Sequence, residues 1–383
     1  MVSRSSSGVL ALVLAVSTVA TSAACIRQSE AKLELVIGAN LELSGADAQL
    51  GQAHRNAMEL AVRHHAGGRV AVTVVYRDNA SDPERARQIM QGMLESDDID
   101  VVVGGGTTRI AAVMAETASG NDKPVMLLAP DVGPIDPLQR PNVFATSAGP
   151  DVIADATLSQ LRQTGSTRVA ILSSQDEYGR AGAEEFKGKA PDFEISVIDS
   201  QTFGGDAQRE DDLLGPVGSV SDDDADAVVV WSPRVRATAL ARLLRAADVD
   251  QRVYFASGVG SQALLGESAA EGMSVICPTI AAAGSIAATT PGLLVQQRFF
   301  MDYTSRFGVF VPDAATASDA VGVFAQAAAD AGSGDADQLR EQLQDLSYSG
   351  VAGAYEFTGT RHNGLARSSF TTVTARSGSW SQA

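Results

Sequence analysis

Beyond residue 32, short β-rich runs alternate with amphipathic segments, and this alternation occurs twice along the chain. The runs are apolar on both faces, which is typical of parallel strands in a sheet that helices cover on both sides. The 383 residues also exceed what one ordinary hydrophobic core accommodates. The sequence therefore predicts an α/β protein with two doubly wound parallel-sheet lobes facing each other across a cleft. The runs are LELVIGANL (33–41), VAVTVVYRDN (70–79), IDVVVGG (99–105) and PVMLLAP (124–130), then TRVAILSSQ (167–175), EISVIDSQTF (194–203), DADAVVVWS (224–232) and RVYFASG (252–258).

The loops at the carboxyl ends of these strands are the places where such sheets bind ligands. One loop, GGGTT (104–108), leads from a strand into a helix. The first backbone N–H groups of a helix have no partner within it, so a loop of this kind can hold an anion. Glycine at 104–106 also allows a close approach of the backbone. Beyond residue 288 the alternation stops, and three helical segments are followed by a short β-rich tail.

The charge of the chain limits its partners. Asp and Glu number 46 against 29 Lys and Arg, which gives a formal charge of −17 without any basic cluster. Sequence-independent binding to nucleic acid or to anionic lipid depends on concentrated positive charge. We therefore expect no nucleic-acid partner.

The first 24 residues have the pattern of an export signal. Arg4 gives a positive start, an apolar core follows at 9–16, and TSAAC ends at Cys25. TSAAC resembles the lipobox of bacterial lipoproteins, whose cysteine is acylated. Such a cysteine would anchor the chain to the outer face of the membrane through lipid alone. Ser22 replaces the usual leucine of that motif, so plain secretion stays an alternative. The other cysteine, Cys277, lies in an apolar run and is expected to be buried.

Catalytic and cofactor motifs are missing from the sequence. It contains no dinucleotide fingerprint, P-loop or nucleophile elbow, so we expect a protein that is not an enzyme and needs no cofactor. The acidic run at 222–224 is interpreted as a solvated turn and not as a metal site. The four histidines have no metal-ligand spacing, and we place all of them on helix or tail surfaces: His54, His64, His65 and His362.

Several segments, taken in order, resemble the branched-chain amino-acid-binding family of extracytoplasmic solute receptors for ABC importers. They are IGANLELSGADAQLGQAHRNAMELAV (37–62), YRDNASDPERARQ (76–88), IDVVVGGGTT (99–108), QDEYGR (175–180), GESAAEGM (266–273) and RFGVFVPDAATASDAV (306–321). The likeness covers nearly the whole chain beyond the signal. It implies the type I periplasmic-binding fold, capture of a small ligand by hinge closure, and docking of a monomer on an ABC permease.

The resemblance also implies lobe boundaries. The chain crosses between the lobes three times in this family, which we place near residues 147, 279 and 349. The first lobe would then contain 33–147 and 280–349, and the second lobe 148–279 and 350–383.

The family pattern supplies candidate ligand contacts. Thr108 matches the helix-start hydroxyl that binds the ligand carboxylate, while a simple helix cap by Thr107 or Thr108 is the alternative. Tyr178 matches a tyrosine that closes the second-lobe side of the pocket, or else packs within its own lobe. Trp231 lies near a second-lobe contact loop, where it would form a stacking wall if exposed or an anchor in the core if buried.

Other positions depart from the pattern. Leu50 replaces an aromatic residue, Asp131 and Gly133 replace a small residue and a hydroxyl, and Ser257 replaces the acid that holds the ligand ammonium. Pro233 replaces a common aromatic residue. A carboxylate at 131 would repel a ligand carboxylate unless it binds a cation or is protonated, and a ligand with hydroxyls or a positive group suits it better. An Asx turn that caps the loop is the alternative role of Asp131. We therefore expect a ligand other than a branched-chain amino acid bound in the usual way. A ligand-sensing lipoprotein that regulates a membrane partner is the alternative to import.

Overall fold

The computed structural model describes Met1 and residues 32–204, 210–221, 224–256, 262–284 and 287–382. The expected signal peptide, Cys25, Ser257, and residues 222 and 223 of the acidic run lie outside these residues. Among the helices that the structure describes, none is both long and apolar enough to cross a membrane.

The first repeat forms a parallel five-stranded sheet in the order β2-β1-β3-β4-β5. Its central strands are almost fully buried, which explains their unbroken apolar sequence. The elements are β1 (Leu33–Leu41), α1 (Ala48–His65), β2 (Val70–Asp78), α2 (Pro83–Glu95), β3 (Val101–Gly104), α3 (Thr108–Thr117), β4 (Val125–Leu127) and β5 (Val143–Ala145).

The second repeat builds another parallel sheet with its own helices. The elements are α4 (Pro150–Gln163), β6 (Arg168–Ser174), α5 (Glu177–Lys189), β7 (Ser196–Phe203), α6 (Asp211–Ser221), β8 (Ala227–Trp231), α7 (Ala237–Ala246), β9 (Arg252–Ala256), α8 (Gln262–Leu265) and β10 (Ser274–Pro278). Cys277 is buried in β10, as predicted, and burial raises the pKa of its thiol to about 12.

The last third of the chain serves both lobes. Its elements are α9 (Pro291–Phe307), α10 (Ala314–Ala331), α11 (Ala336–Leu343), β11 (Ser347–Ser349), β12 (Ala354–Glu356), β13 (Phe370–Arg376) and β14 (Ser379–Gln382). Helix α10 packs against α1 and β1 of the first lobe, and its alanine-rich sequence permits this close packing. Strand β13 pairs antiparallel with β10, and β14 pairs antiparallel with β13, which gives the second sheet the order β14-β13-β10-β9-β8-β6-β7.

The tail after α11 contacts the end of the first sheet before it joins the second sheet. The backbone at Asn363 and Gly364 forms bridges to Ala145 and Ala148, at the end of the first sheet. Strands β13 and β14 then join the second sheet. The crossing points near residues 147, 279 and 349 stay predictions.

A buried carboxylate holds this tail to α10. Asp319 accepts hydrogen bonds from the backbone N–H groups of Val351 (2.6 Å) and Ala352 (2.7 Å) and from the hydroxyl of Tyr355 (2.9 Å). Its own burial raises the pKa of Asp319 to about 7, although the three donors act in the opposite direction. The helix and the tail are thus joined by one polar centre.

The expected surface position of all four histidines is wrong for two of them. His54, on α1, and His362, in the tail, are fully buried. His362 stacks on Phe144 with ring centroids 4.0 Å apart, and its Nδ1 lies 2.8 Å from the carbonyl oxygen of Val143. Phe144 and Val143 lie far from His362 in the sequence, so the local pattern did not reveal the burial of this histidine.

Candidate functional site

The glycine-rich loop after β3 is shaped by close backbone contacts. Gly105 has a φ of +67°, and a Cβ atom there would lie 2.7 Å from the Cα of Ala111. At Gly104, a Cβ would overlap the carbonyl oxygen of Asn40. Both positions therefore require glycine. Thr107 occupies the cap position of α3 in an extended conformation, without a side-chain cap bond.

The hydrogen-bond acceptor at the start of α3 comes from the chain itself. Oε1 of Glu42, which follows β1, accepts a hydrogen bond from the Thr107 backbone N–H at 3.2 Å. Glu42 is fully buried, and burial raises its pKa. Sequence reasoning missed this residue. The available signal was an acid directly after an apolar strand, on the strand next to the loop.

Thr108 does not present a free hydroxyl. Its Oγ1 donates to Oδ1 of Asp131 at 2.6 Å, and Asp131 is buried in the loop after β4. The Thr107 hydroxyl, by contrast, is buried without a partner among the described residues. The structure thus brings Thr107, Thr108 and Asp131 together, but it joins the last two to each other.

An ion pair connects the two lobes at the cleft. Arg234, in the loop after β8, pairs with Asp313 at the start of α10. The charge of Asp313 is the main cause that raises the pKa of Arg234; burial opposes the shift, and Asp131 and Asp47 reinforce it. Neither Arg234 nor Asp313 was singled out from the sequence, because only the fold brings these distant positions together.

His54 lies behind this ion pair. Burial lowers its pKa to about 4, with Asp313 opposing the shift and Arg234 reinforcing it, so the ring is neutral at pH 7. Neither ring nitrogen has a partner among the described residues. A Cβ at Gly106 would lie 2.8 Å from Nδ1 of His54 and 3.1 Å from Oε2 of Glu42. The loop therefore passes between these two side chains only because residue 106 is glycine.

On the second-lobe side, Tyr178 is buried with its hydroxyl 3.4 Å from the carbonyl oxygen of Ala256. Burial raises its pKa, and the charge of Asp131 adds to the shift, which puts the phenol within electrostatic reach of the first lobe. Its ring centroid is 6.1 Å from that of Trp231.

Trp231 has no exposed surface, and it packs over Gly182 of α5. A ligand-stacking wall needs an exposed ring. The burial therefore supports the alternative, an anchor that holds the strand end in the core.

The remaining candidates occupy the rim. Leu50 is half-buried in the first turn of α1. Gly133 faces the second lobe, where a Cβ would lie 2.9 Å from Cγ of Glu177, and its carbonyl accepts from Nδ2 of Asn363 at 3.4 Å. Replacing the usual hydroxyl residue by glycine here lets the two lobes approach each other.

A cavity of about 50 Å³ lies at the base of the cleft. Arg234 and Asp313 line one side, and Ser147, Ile280 and Leu365 line the others. A space of this size accommodates a few water molecules or a small part of a solute. Within the described residues, no group of three or more His, Cys, Asp or Glu could hold a metal ion.

Comparison with known proteins identifies the family. A family model described as periplasmic binding protein matches residues 34–379. The chain belongs to the periplasmic binding protein family. This family consists of solute-binding receptors and not of enzymes. None of the curated proteins compared matches the chain.

Solved structures of periplasmic binding proteins share the fold. The leucine-binding protein LivK of Thermotoga maritima is 17% identical with a TM-score of 0.73, and the match covers 91% of this chain and 97% of that one. The branched-chain amino acid transporter protein LivJ of Streptococcus pneumoniae, in complex with isoleucine, is 19% identical with a TM-score of 0.71 and the same coverage. A solute-binding protein of R. palustris in complex with benzoate is 20% identical with a TM-score of 0.68, covering 91% and 95%. The predicted resemblance and the predicted type I periplasmic-binding fold are confirmed.

Proposed function

We propose that this periplasmic binding protein is an extracytoplasmic receptor that captures a small polar metabolite, an amino acid or a related compound, and delivers it to an ABC importer. The observation that carries the proposal is the cleft. Strand ends of two doubly wound lobes meet there, and buried charged groups from both lobes converge on it. Solutes bind such folds between strand ends, and affinity for the closed state drives the hinge motion.

Ligand contacts follow from this placement. Thr107, Thr108, Asp131 and Gly133 would form the first-lobe wall, and Tyr178 the second-lobe wall. Leu50 would lie at the rim of the cleft. Ser257, outside the described residues, stays a predicted contact. Trp231 would support the second wall from within the core. The third crossing, near residue 349, would complete a three-stranded hinge.

The solute would differ from a branched-chain amino acid bound in the family's usual way. The Thr108 hydroxyl is committed to Asp131, and Glu42 already accepts the Thr107 N–H that a ligand carboxylate would use. The ligands named for the solved relatives, isoleucine and benzoate, differ from each other, so one fold serves unlike solutes.

The remaining features concern delivery. Acylation of Cys25 would hold a monomeric receptor at the outer face of the membrane, where an ABC permease accepts the loaded, closed form. Plain secretion is the alternative. Expression of a Cys25→Ser variant separates the two: a lipoprotein is lost from the membrane fraction and no longer incorporates labelled palmitate, whereas a plainly secreted protein behaves like the wild type.

Thermal unfolding of the purified protein tests the proposal. The samples contain, one at a time, amino acids, amines, polyols and small carboxylates. A solute that binds only the folded chain at 100 times its dissociation constant adds roughly 2.7 kcal/mol to the free energy of unfolding. Stabilisation by one chemical class supports a solute receptor. Unchanged unfolding with every compound counts against a solute receptor. Uptake of a stabilising solute by cells lacking the gene, compared with wild-type cells, tests import.

A further inference from the structure

The first-lobe wall of the cleft carries more negative than positive charge. The negative charges of Asp47, Asp131 and Asp313 all raise the pKa of Arg234, with the largest effect from Asp313. The three acids come from different elements: the loop before α1, the loop after β4 and the start of α10. The cation they surround comes from the other lobe. When the lobes separate, Arg234 leaves with the second lobe, and the acids lose this counter-ion.

The side chains behind this wall do not supply a replacement cation. His54 is fully buried and neutral at pH 7, next to Asp313, and both of its ring nitrogens lack a partner in the described part of the chain. Glu42, also fully buried, has one carboxylate oxygen without such a partner. The acids are thus backed by polar atoms that can accept hydrogen bonds.

An anionic solute fits this wall poorly. It would meet three carboxylates, and the guanidinium of Arg234 is already paired with Asp313. Repulsion between like charges is strong in a partly desolvated cleft. A positively charged group, in contrast, would find the acids already arranged around a cation.

We infer that the solute of this receptor is a small organic cation, and that its ammonium or guanidinium group takes the place of Arg234 against Asp131 and Asp313. The inference rests on the proposed function. Arg234 then acts as an internal competitor that sets specificity: only a cation that binds the acids better than Arg234 does can displace it.

The neighbouring cavity limits the rest of the solute. It borders Arg234 and Asp313, and apolar side chains such as Ile280, Leu365 and Phe370 form much of its wall. Displacement of the Arg234 side chain would enlarge this space. An aliphatic chain attached to the cationic group would then lie against the apolar side chains, which favours a small alkylamine over a strongly hydroxylated cation.

The test is calorimetric titration of the full-length protein in mild detergent with putrescine, leucine and succinate. Putrescine should bind the wild type. Arg234→Gln should increase the affinity for putrescine about tenfold or more, since it removes the competitor, while Arg234→Lys should not. Asp131→Asn and Asp313→Asn should each weaken binding at least tenfold. Asp330→Asn, which removes an exposed acid at the other end of α10, is the matched control and should bind like the wild type.

Cooperative thermal unfolding of each variant confirms that it is folded. Loss of binding in Arg234→Gln would overturn the inference, because Arg234 would then contact the solute directly. Binding of succinate or leucine without putrescine would also overturn it, but would leave the proposed solute receptor standing. Failure of all three probes and of the broader set of compounds would overturn both.

Discussion

The carboxyl group of Glu42, which is fully buried in the first lobe, accepts a hydrogen bond from the backbone N–H of Thr107 at 3.2 Å. The first N–H group at the start of α3 is therefore bonded to a residue that follows the neighbouring strand. The acceptor that the sequence led us to expect from a ligand is, for this N–H group, part of the protein.

Truncating Glu42 should show how much its hydrogen bond to Thr107 contributes to stability. Glu42→Ala leaves a buried N–H without its acceptor and should lower the free energy of unfolding by about 1–3 kcal/mol. Glu42→Gln keeps an acceptor oxygen and should cost clearly less. Urea unfolding at pH 7 measures both, and equal stability of the alanine variant and the wild type would show that the hydrogen bond contributes nothing.

The contact between Gly182 and Trp231 provides a second test. A Cβ at Gly182 would overlap the indole, so Gly182→Ala should destabilise the protein by about 1–3 kcal/mol through overpacking. Gly188 lies on the same helix with no atom near its Cβ position, and Gly188→Ala should stabilise the protein by about 0.5–1 kcal/mol. Chemical unfolding of the two variants should thus give shifts of opposite sign. Shifts in the same direction would argue against Trp231 as a buried anchor.

His54 should make the fold sensitive to acid. Its pKa falls from 6.5 to about 4 on folding, so the folded state binds fewer protons between these values, and its stability is lost as the pH falls through this window. Between pH 7 and pH 5 the wild type should lose about 2 kcal/mol relative to His54→Asn. Urea midpoints at both pH values provide the measurement. His64→Asn, on the exposed part of the same helix, should follow the wild type.

Asp319 should affect the pH dependence of stability in the direction opposite to that of His54. Its pKa rises from 3.8 to about 7, so the folded state holds a proton that the unfolded state has released, and the associated stability is lost as the pH rises through 7. Between pH 7 and pH 5 the wild type should gain about 2 kcal/mol relative to Asp319→Asn. Tyr355→Phe removes one donor but keeps the carboxyl group, and it should retain the wild-type dependence. A pH-independent difference between wild type and Asp319→Asn would contradict the shift.

The regular part of the fold was accessible from sequence, whereas the cleft contacts were not. Alternation of apolar runs and helices correctly predicted two parallel sheets, because strands buried on both faces consist almost entirely of apolar residues. Burial of His54 depends on α10, which packs on α1 from far along the chain. The pairing of Arg234 with Asp313 depends on the approach of two lobes. Such contacts depend on tertiary packing, so short sequence motifs do not predict them.

The packing of α10 on α1 also has a consequence for the order of folding. Helix α1 begins at residue 48, while its partner begins at residue 314 and the tail held by Asp319 follows still later. A chain synthesised from its N-terminus therefore cannot complete the first core until most of its length has emerged.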